Sequence, residues 1–436
     1  MSLGNDEKVQ LSTEVVAYYG DSKLLIRNAC WLLFGTFGMG MGLGVASNLI
    51  PIHMDKIGMN ATQIALGWSI NGWIISVLMI YIAFRSDNCQ LKWGRRLPFL
   101  LLSIPPVCVA LAYFPHTHTI VTCVIAFAVY RFFLNFKEQT YPFLSYDIAP
   151  KRYWGRMWAL QMAGGALGLW LSNVVLMRLV DVWGEKPVFY LAAAMLGGLT
   201  LTTIFFLKEP PIRIKDPPKF SIIRQLKIGF NDKKNWLLFT GFGMGICSTI
   251  TIPIFIVLHA KNSVHLNSTQ IGWVMSWMMA AQLAISFPAG WLTDKLGALK
   301  TVFIGYAACV IATVIGYPAH TATQLSVSVV FMSTGGLMIY TALLIFLVEG
   351  VNREILASFS ACNGMFMAAF SATMQLVCGK LIDITGGNYA IAMPFGIAIG
   401  AVGIPMLIFV SRMRKKALQS IEAEISSVPK NIPAIG

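Results

Sequence analysis

Residues 60–68 read NATQIALGW and residues 267–273 read NSTQIGW, so Asn, Thr, Gln and Ile recur at a spacing of 207. The echo continues beyond these stretches. Asp87 and Asp294 also differ by 207, Gly94 and Gly297 by 203, and Asp147 and Glu349, which close two apolar runs, by 202. One register with small insertions therefore relates the two halves of a 436-residue chain. Duplication on this scale points to paired helical bundles around a site between them. Thr62 and Thr269 are placed to serve as N-caps of the two repeated helices. The same stretches form N-x-T triplets, but their coincidence with the repeat favours capping over glycosylation.

Around these landmarks the chain is 56% hydrophobic and only 12% charged, against roughly a quarter charged in a soluble domain. Apolar runs of about 20 residues recur along it, each long enough to cross a bilayer core as a helix. Twelve spans are predicted, near 29–51, 63–84, 97–114, 119–147, 154–180, 187–207, 235–259, 269–292, 299–318, 323–348, 355–380 and 388–411. The expected fold is an all-α membrane protein of twelve transmembrane helices in two pseudo-symmetric six-helix bundles. Residues 1–28 read as a cytoplasmic N-terminal segment, 29–207 as the first bundle, 208–234 as a basic, proline-containing central cytoplasmic loop, 235–411 as the second bundle and 412–436 as a cytoplasmic tail.

The net charge of +14 would suggest nucleic acid in a soluble protein. Here the cations sit between apolar runs, where they set topology, so no nucleic-acid partner is expected. With both termini cytoplasmic, the outer loops hold only Lys56, Arg178, Lys186, Lys261 and Lys380, while Arg131 and Lys137 lie inside a span and the rest of the 33 Lys and Arg face the cytoplasm. The expected location is a cell membrane, plasma or inner. The first 28 residues lack the apolar core of a cleavable signal. Eight cysteines without a CxxC, mostly within apolar runs, indicate neither metal nor disulfides. All six histidines fall at the outward ends of spans, which argues against a buried histidine relay for protons.

Two loops carry a family resemblance. Ser86–Phe99 reads SDNCQLKWGRRLPF, and Gly290–Lys300 reads GWLTDKLGALK. Both resemble the signature of the major facilitator superfamily between its second and third helices, and the second copy fits through Gly290, Asp294, Lys295, Gly297 and Lys300. The first has Asp87, Gly94, Arg95 and Arg96, with Ala83 in place of the initial Gly and Asn88 in place of the usual basic residue. Its longer WGRRxPF ending is similar to the glycoside–pentoside–hexuronide carriers and the related sucrose-carrier branch, as is YDIAPKRYWGR, Tyr146 to Arg156. The resemblance implies a carrier of a sugar, glycoside or sugar acid. In physical terms Asp87 is suited to cap a helix of the opposite half, and Arg95 and Arg96 to pair with Asp147 or Glu349, closing the cytoplasmic side in one state.

Charged groups inside spans mark function, and span four holds RFFLNFKEQTYPFLSYD, Arg131 to Asp147. Arg131, Asn135, Glu138 and Pro142 share one helical face, extended by Ser145, which should look into a polar cavity. Lys137 lies about 100° from Glu138 and serves either the site or a neighbouring helix. Tyr141, Asn48, Gln161, Gln282 and Asn363 are further candidates for the site, with Asn71 and Gln375. Each of these amides also suits helix–helix bonding. Trp73 and Trp277 suit stacking on a solute, whereas Trp68 and Trp273, at helix starts, read as interfacial belt residues. The glycines of Gly38–Gly44 (GMGMGLG) and Gly164, Gly165 and Gly168 read as close helix packing.

The expectation is therefore a secondary active or facilitative carrier working by alternating access, its partners a small-molecule substrate and the lipid bilayer, with a single copy as the functional unit. Two cations against one acid favour a solute with a carboxylate. An exporter or antiporter of amphipathic organic anions is the alternative. No cofactor is expected beyond a coupling proton through Glu138; sodium fits less well, because spans one and two lack an acid within their predicted bounds. No HExxH, GxSxG or Cys/His cluster suggests an enzyme.

Overall fold

The structure, a computed structural model, describes residues 18–427 apart from residues 90, 92–93, 151–152, 211–220, 251 and 349–355. Its first part contains α1 (Ser22–Lys56), α2 (Ala61–Asp87), α3 (Leu97–Tyr113) and α4 (Ile120–Asp147), then α5 (Trp154–Leu171), which passes through a π-turn (Ser172–Leu176) into α6 (Met177–Trp183), and α7 (Glu185–Phe206). The connector read as a loop holds a nine-residue helix, α8 (Ile222–Phe230). The second part contains α9 (Lys233–Ile250), α10 (Ile252–Asn262), α11 (Ser268–Leu296), α12 (Ala298–Gly316), α13 (Ala322–Val348), α14 (Leu356–Ile384) and α15 (Ala392–Ser427). Among the described residues ten helices are long and apolar enough to cross a membrane. Helix α2 and the α9–α10 pair occupy the other two spans, giving the twelve-span layout of a multi-pass membrane protein.

The repeat is physical as well as textual. Asn60 caps α2 by accepting from the Gln63 N–H, with the Gln63 side chain returning a bond to the Asn60 N–H; Asn267 and Gln270 do the same for α11. These capping boxes correct the assignment of Thr62 and Thr269 as caps: each Asn precedes its Thr by two residues and is correctly placed to reach the third helical N–H. Thr119 accepts from the Thr122 N–H at the start of α4, and Thr321 from the Gln324 N–H at the start of α13, which fixes a spacing of 202 for that pair.

The two parts meet at α1 with α10, at α2 with α14, and where α5, the π-turn and α6 lie against α11. The last two are equivalent under the repeat, and the first pairs equivalent spans. Within the first part, α1 packs on α5 through glycine. A Cβ on Gly168 would lie 2.2 Å from the Phe37 carbonyl oxygen, and one on Gly40 would lie 2.3 Å from that of Gly165, whereas a Cβ on Gly165 would meet nothing within 4 Å. Gly168→Val is therefore expected to lower the thermal unfolding temperature of the detergent-purified protein, with an overpacking cost of about 1–3 kcal/mol or more. Gly165→Ala should leave it unchanged, and equal effects of the two would show that this helix contact is not glycine-limited.

Candidate functional site

The α4 face forms as its spacing predicts. Arg131 stands over Trp68, its guanidinium carbon 5.3 Å from the ring centroid, and its Nη1 is 4.0 Å from Glu138 Oε1. Both charges line a cavity of about 240 Å³ with Trp68, Asn71, Ser371 and Gln375, so its wall comes from both parts of the chain. The Arg131 Nε and Trp68 Nε1 donors are buried without a protein partner, as is the Asn135 Oδ1 acceptor. Asn135 donates its Nδ2 to Asn71 Oδ1 at 3.0 Å. Trp68 is thus a wall of this cavity, packed on Phe127 with ring centroids 4.9 Å apart, and not a belt residue. It stands two turns into α2 from the Asn60 cap, deep enough to reach α4.

Other candidates serve elsewhere in the fold. Tyr141 donates its hydroxyl to the Leu32 carbonyl, Gln161 donates to the Tyr141 carbonyl, and Asn48 donates to Asn173 Oδ1 at 2.7 Å, so these side chains tie helices together. Trp73 bridges to Thr373 Oγ1 at 3.2 Å across the α2–α14 contact. Trp277 is exposed, Lys137 is half-buried next to Glu138, and Asn363 is buried with an unpartnered Oδ1. Gln282 lines a second cavity, between α9, α10, α11 and α13.

At the face bearing the motif loops, Arg95 and Arg96 converge on Asp147. Glu209, just past α7, accepts from the backbone N–H groups of Arg95, Arg96 and Leu97 and so caps α3. Burial pushes the Glu209 carboxyl above its usual range, against the pull of those three bonds. Gly94 sits at φ +118°, and a Cβ there would lie 2.6 Å from the Glu209 carboxyl carbon, so glycine is required twice over. These contacts join elements of one half; the expected pairing with Asp147 forms, but as a brace within that half. Arg156 is exposed over Tyr153. On the second loop Asp294, Lys295 and Lys300 are exposed, Lys295 lies over Trp291, and Gly297 is the positive-φ turn between α11 and α12. The Asp87 side chain and Glu349 lie outside the described residues.

The opposite face closes by contacts that the sequence did not single out. Asp383 of α14 accepts from the N–H groups of Ala61 and Thr62, both at 2.9 Å, while Asp181 of α6 accepts from those of Ser268 at 3.2 Å and Thr269 at 2.8 Å. Asp181 and Asp383 are 202 apart, so each half caps the other's repeated helix. Lys261 pairs with Asp55 at 3.0 Å, and Asn262 donates to the same carboxylate. Beside them, buried His53 lies 3.4 Å from Glu185. The signal was present: both aspartates precede a positive-φ glycine by three residues, Gly184 and Gly386.

A family model, the Major Facilitator Superfamily, matches residues 32–253 and 237–433. The fold is similar to a point mutant of the nucleoside transporter NupG, with 15% identity, TM-score 0.73, and 88% of this chain and 99% of that one covered. It is also similar to a bacterial homolog of the human lysosomal transporter Spinster in an inward-facing, unoccupied conformation, with 11% identity, TM-score 0.67, and 91% and 97% covered. No curated protein matches the sequence.

Removing the reciprocal caps should open the face they hold. Each carboxylate at a helix N-terminus contributes about 1 kcal/mol, so Asp181→Asn with Asp383→Asn is expected to speed labelling of a single cysteine placed at Ser69 severalfold. Unchanged labelling in the folded double variant would mean that helix packing alone keeps this face shut.

Proposed function

This chain belongs to the major facilitator superfamily, and on that premise we propose that it moves a small polar organic solute bearing an anionic group, a sugar acid before a neutral sugar or glycoside, by alternating access. It is a transporter and not an enzyme. The observation that carries the substrate reading is the pair of buried, unpartnered donors, Arg131 Nε and Trp68 Nε1, at the edge of one cavity. Such groups are costly inside a membrane unless something accepts from them. An anion satisfies both and offsets the second cation, Lys137, close by.

NupG is named for nucleosides, and Trp68 offers a ring for a base. A neutral nucleoside would leave the guanidinium balanced only by Glu138 at 4.0 Å, which favours the anion. An exporter or antiporter of amphipathic organic anions is a second reading, supported by the mostly apolar lining of the cavity that holds Gln282.

In this proposal the loop face is cytoplasmic, in a plasma or inner membrane, and the Asp181 and Asp383 face is external. Coupling follows from the loose Arg131–Glu138 pair. When the solute takes the guanidinium, Glu138 is released from that pair to carry the coupling proton. Solute and proton then move together, with no other cofactor.

Reconstitution into proteoliposomes and uptake of a panel of sugars, glycosides and sugar acids tests the reading. Arg131→Ala is expected to weaken anion binding roughly ten- to a hundredfold, the range for a charged hydrogen bond. Glu138→Gln should keep exchange of solute across the membrane while losing accumulation driven by a pH gradient. Undiminished, pH-dependent accumulation by Glu138→Gln would remove Glu138 from the coupling.

A further inference from the structure

The repeat pairs two cavities of nearly equal size, one with charged side chains in its lining and, among the described residues, one without. Asn71, Ile75, Arg131 and Glu138 line the first, of about 240 Å³. Adding 207 to the α2 positions and 202 to the α4 positions gives Met278, Gln282, Ser333 and Tyr340, and all four line the second, of about 230 Å³. The capping residues Asn60 and Asn267, and Thr119 and Thr321, set those offsets independently of the cavities. Equivalent positions about a pseudo-two-fold axis lie at the same depth, so the α2–α4 wall of the first cavity corresponds to the α11–α13 wall of the second.

They differ in charge: Arg131 and Glu138 line the first, and no charged side chain among the described residues lines the second. Where the first wall places a guanidinium, the second places the Ser333 hydroxyl, which donates to the Met278 carbonyl at 2.9 Å and is thereby satisfied within the protein. Where the first has a carboxylate, the second has a tyrosine ring. Most of what remains is apolar, including Ile246, Ile256, Val329 and Leu337. Among the described residues no polar side-chain atom of this cavity is both buried and unpartnered, in contrast to Trp68 and Arg131 opposite. A pocket of this lining holds a hydrocarbon or aromatic group and fixes it with few polar contacts.

We propose that the second cavity is a subsite for the apolar part of the same solute whose anionic end is held at Arg131, so that the transported molecule is a two-ended organic anion with an aromatic or branched aliphatic body. This rests on the Arg131 reading above. Such a solute touches the α2–α4 wall and the α11–α13 wall at once, and contact with both walls is complete only when they approach each other. Its binding free energy therefore favours the closed intermediate of the transport cycle. A one-ended anion engages one wall and is carried more slowly.

The test uses the full-length protein in proteoliposomes and three probes: a free hexuronate, its phenyl glycoside, and a phenylalkanoate with no sugar. The phenyl glycoside is expected to bind roughly tenfold or more tighter than the free hexuronate, from burial of the ring. Leu337→Asn should erase that gain while leaving hexuronate affinity unchanged, and Gln282→Leu, which removes a polar group from the same wall, should preserve or increase it. No gain from the phenyl group, or a gain undiminished in Leu337→Asn, overturns the subsite. If Arg131→Ala leaves all three affinities unchanged, the anion site beneath it is wrong. Binding of the phenylalkanoate alone, lost in both Arg131→Ala and Leu337→Asn, supports the subsite and overturns the sugar acid.

Discussion

A helix that begins at a membrane surface leaves its first N–H groups unbonded, and this chain satisfies two such helices by borrowing acceptors across the molecule. In α2 the work is divided: Asn60 takes the third N–H, and Asp383 takes the first two. In α11 Asn267 and Asp181 divide it in the same way. Local capping boxes make each helix start where it does, and the distant carboxylates make its start a docking point. Close packing continues behind the caps. A Cβ on Gly379 would lie 2.7 Å from the Ala61 carbonyl oxygen, and one on Gly272 would lie 2.1 Å from that of Asn173. Glycine thus shapes both interfaces, Gly379 on α14 with Gly72 on α2 in one case and Gly272 on α11 in the other.

Under the proposed alternating access, these contacts suit a joint that opens. A carboxylate at a helix N-terminus contributes about 1 kcal/mol, up to roughly 2 when partly buried. The two caps and the Asp55–Lys261 pair together are enough to populate one state and small enough for a bound solute to offset. Replacing them with a large apolar interface would fix the molecule in one conformation. Asp55 and Lys261 are themselves near-equivalents, 206 apart, so the ion pair sits close to the axis that relates the halves.

How much of this can be read in advance depends on distance along the chain. The spans, the repeat register and the Arg131–Glu138 face arise from hydropathy, identity and helical period, all of which are local. The reciprocal caps join residues 321 and 88 apart and have no local signature. Only the matched spacing of Asp181 and Asp383, each followed by Gly after two residues, hints at them. Thr62 is not the cap because Asn60 and Gln63 already form the box, a pattern visible in NATQ once the third helical N–H is counted. Trp68 departs from expectation for a different reason: closeness to the helix start suggests a shallow position, although two helical turns carry it about 11 Å inward. Tyr141 and Gln161 look like site residues by their polarity, whereas their hydrogen bonds go to backbone carbonyls of neighbouring helices.

The capped face and the two cavity walls put the same duplication to opposite uses. At the face, equivalent positions keep equivalent chemistry, because each cap must meet the same requirement, a helix start needing an acceptor. At the walls, equivalent positions have diverged from Arg131 and Glu138 to Ser333 and Tyr340. A second copy of the charged wall would put a second guanidinium and a second carboxylate inside the spans, where each charge is costly. Symmetry in the joint and asymmetry in the cavity are thus separate consequences of electrostatics: the joint gains when a favourable contact is made twice, and the cavity gains when a costly charge is present only once.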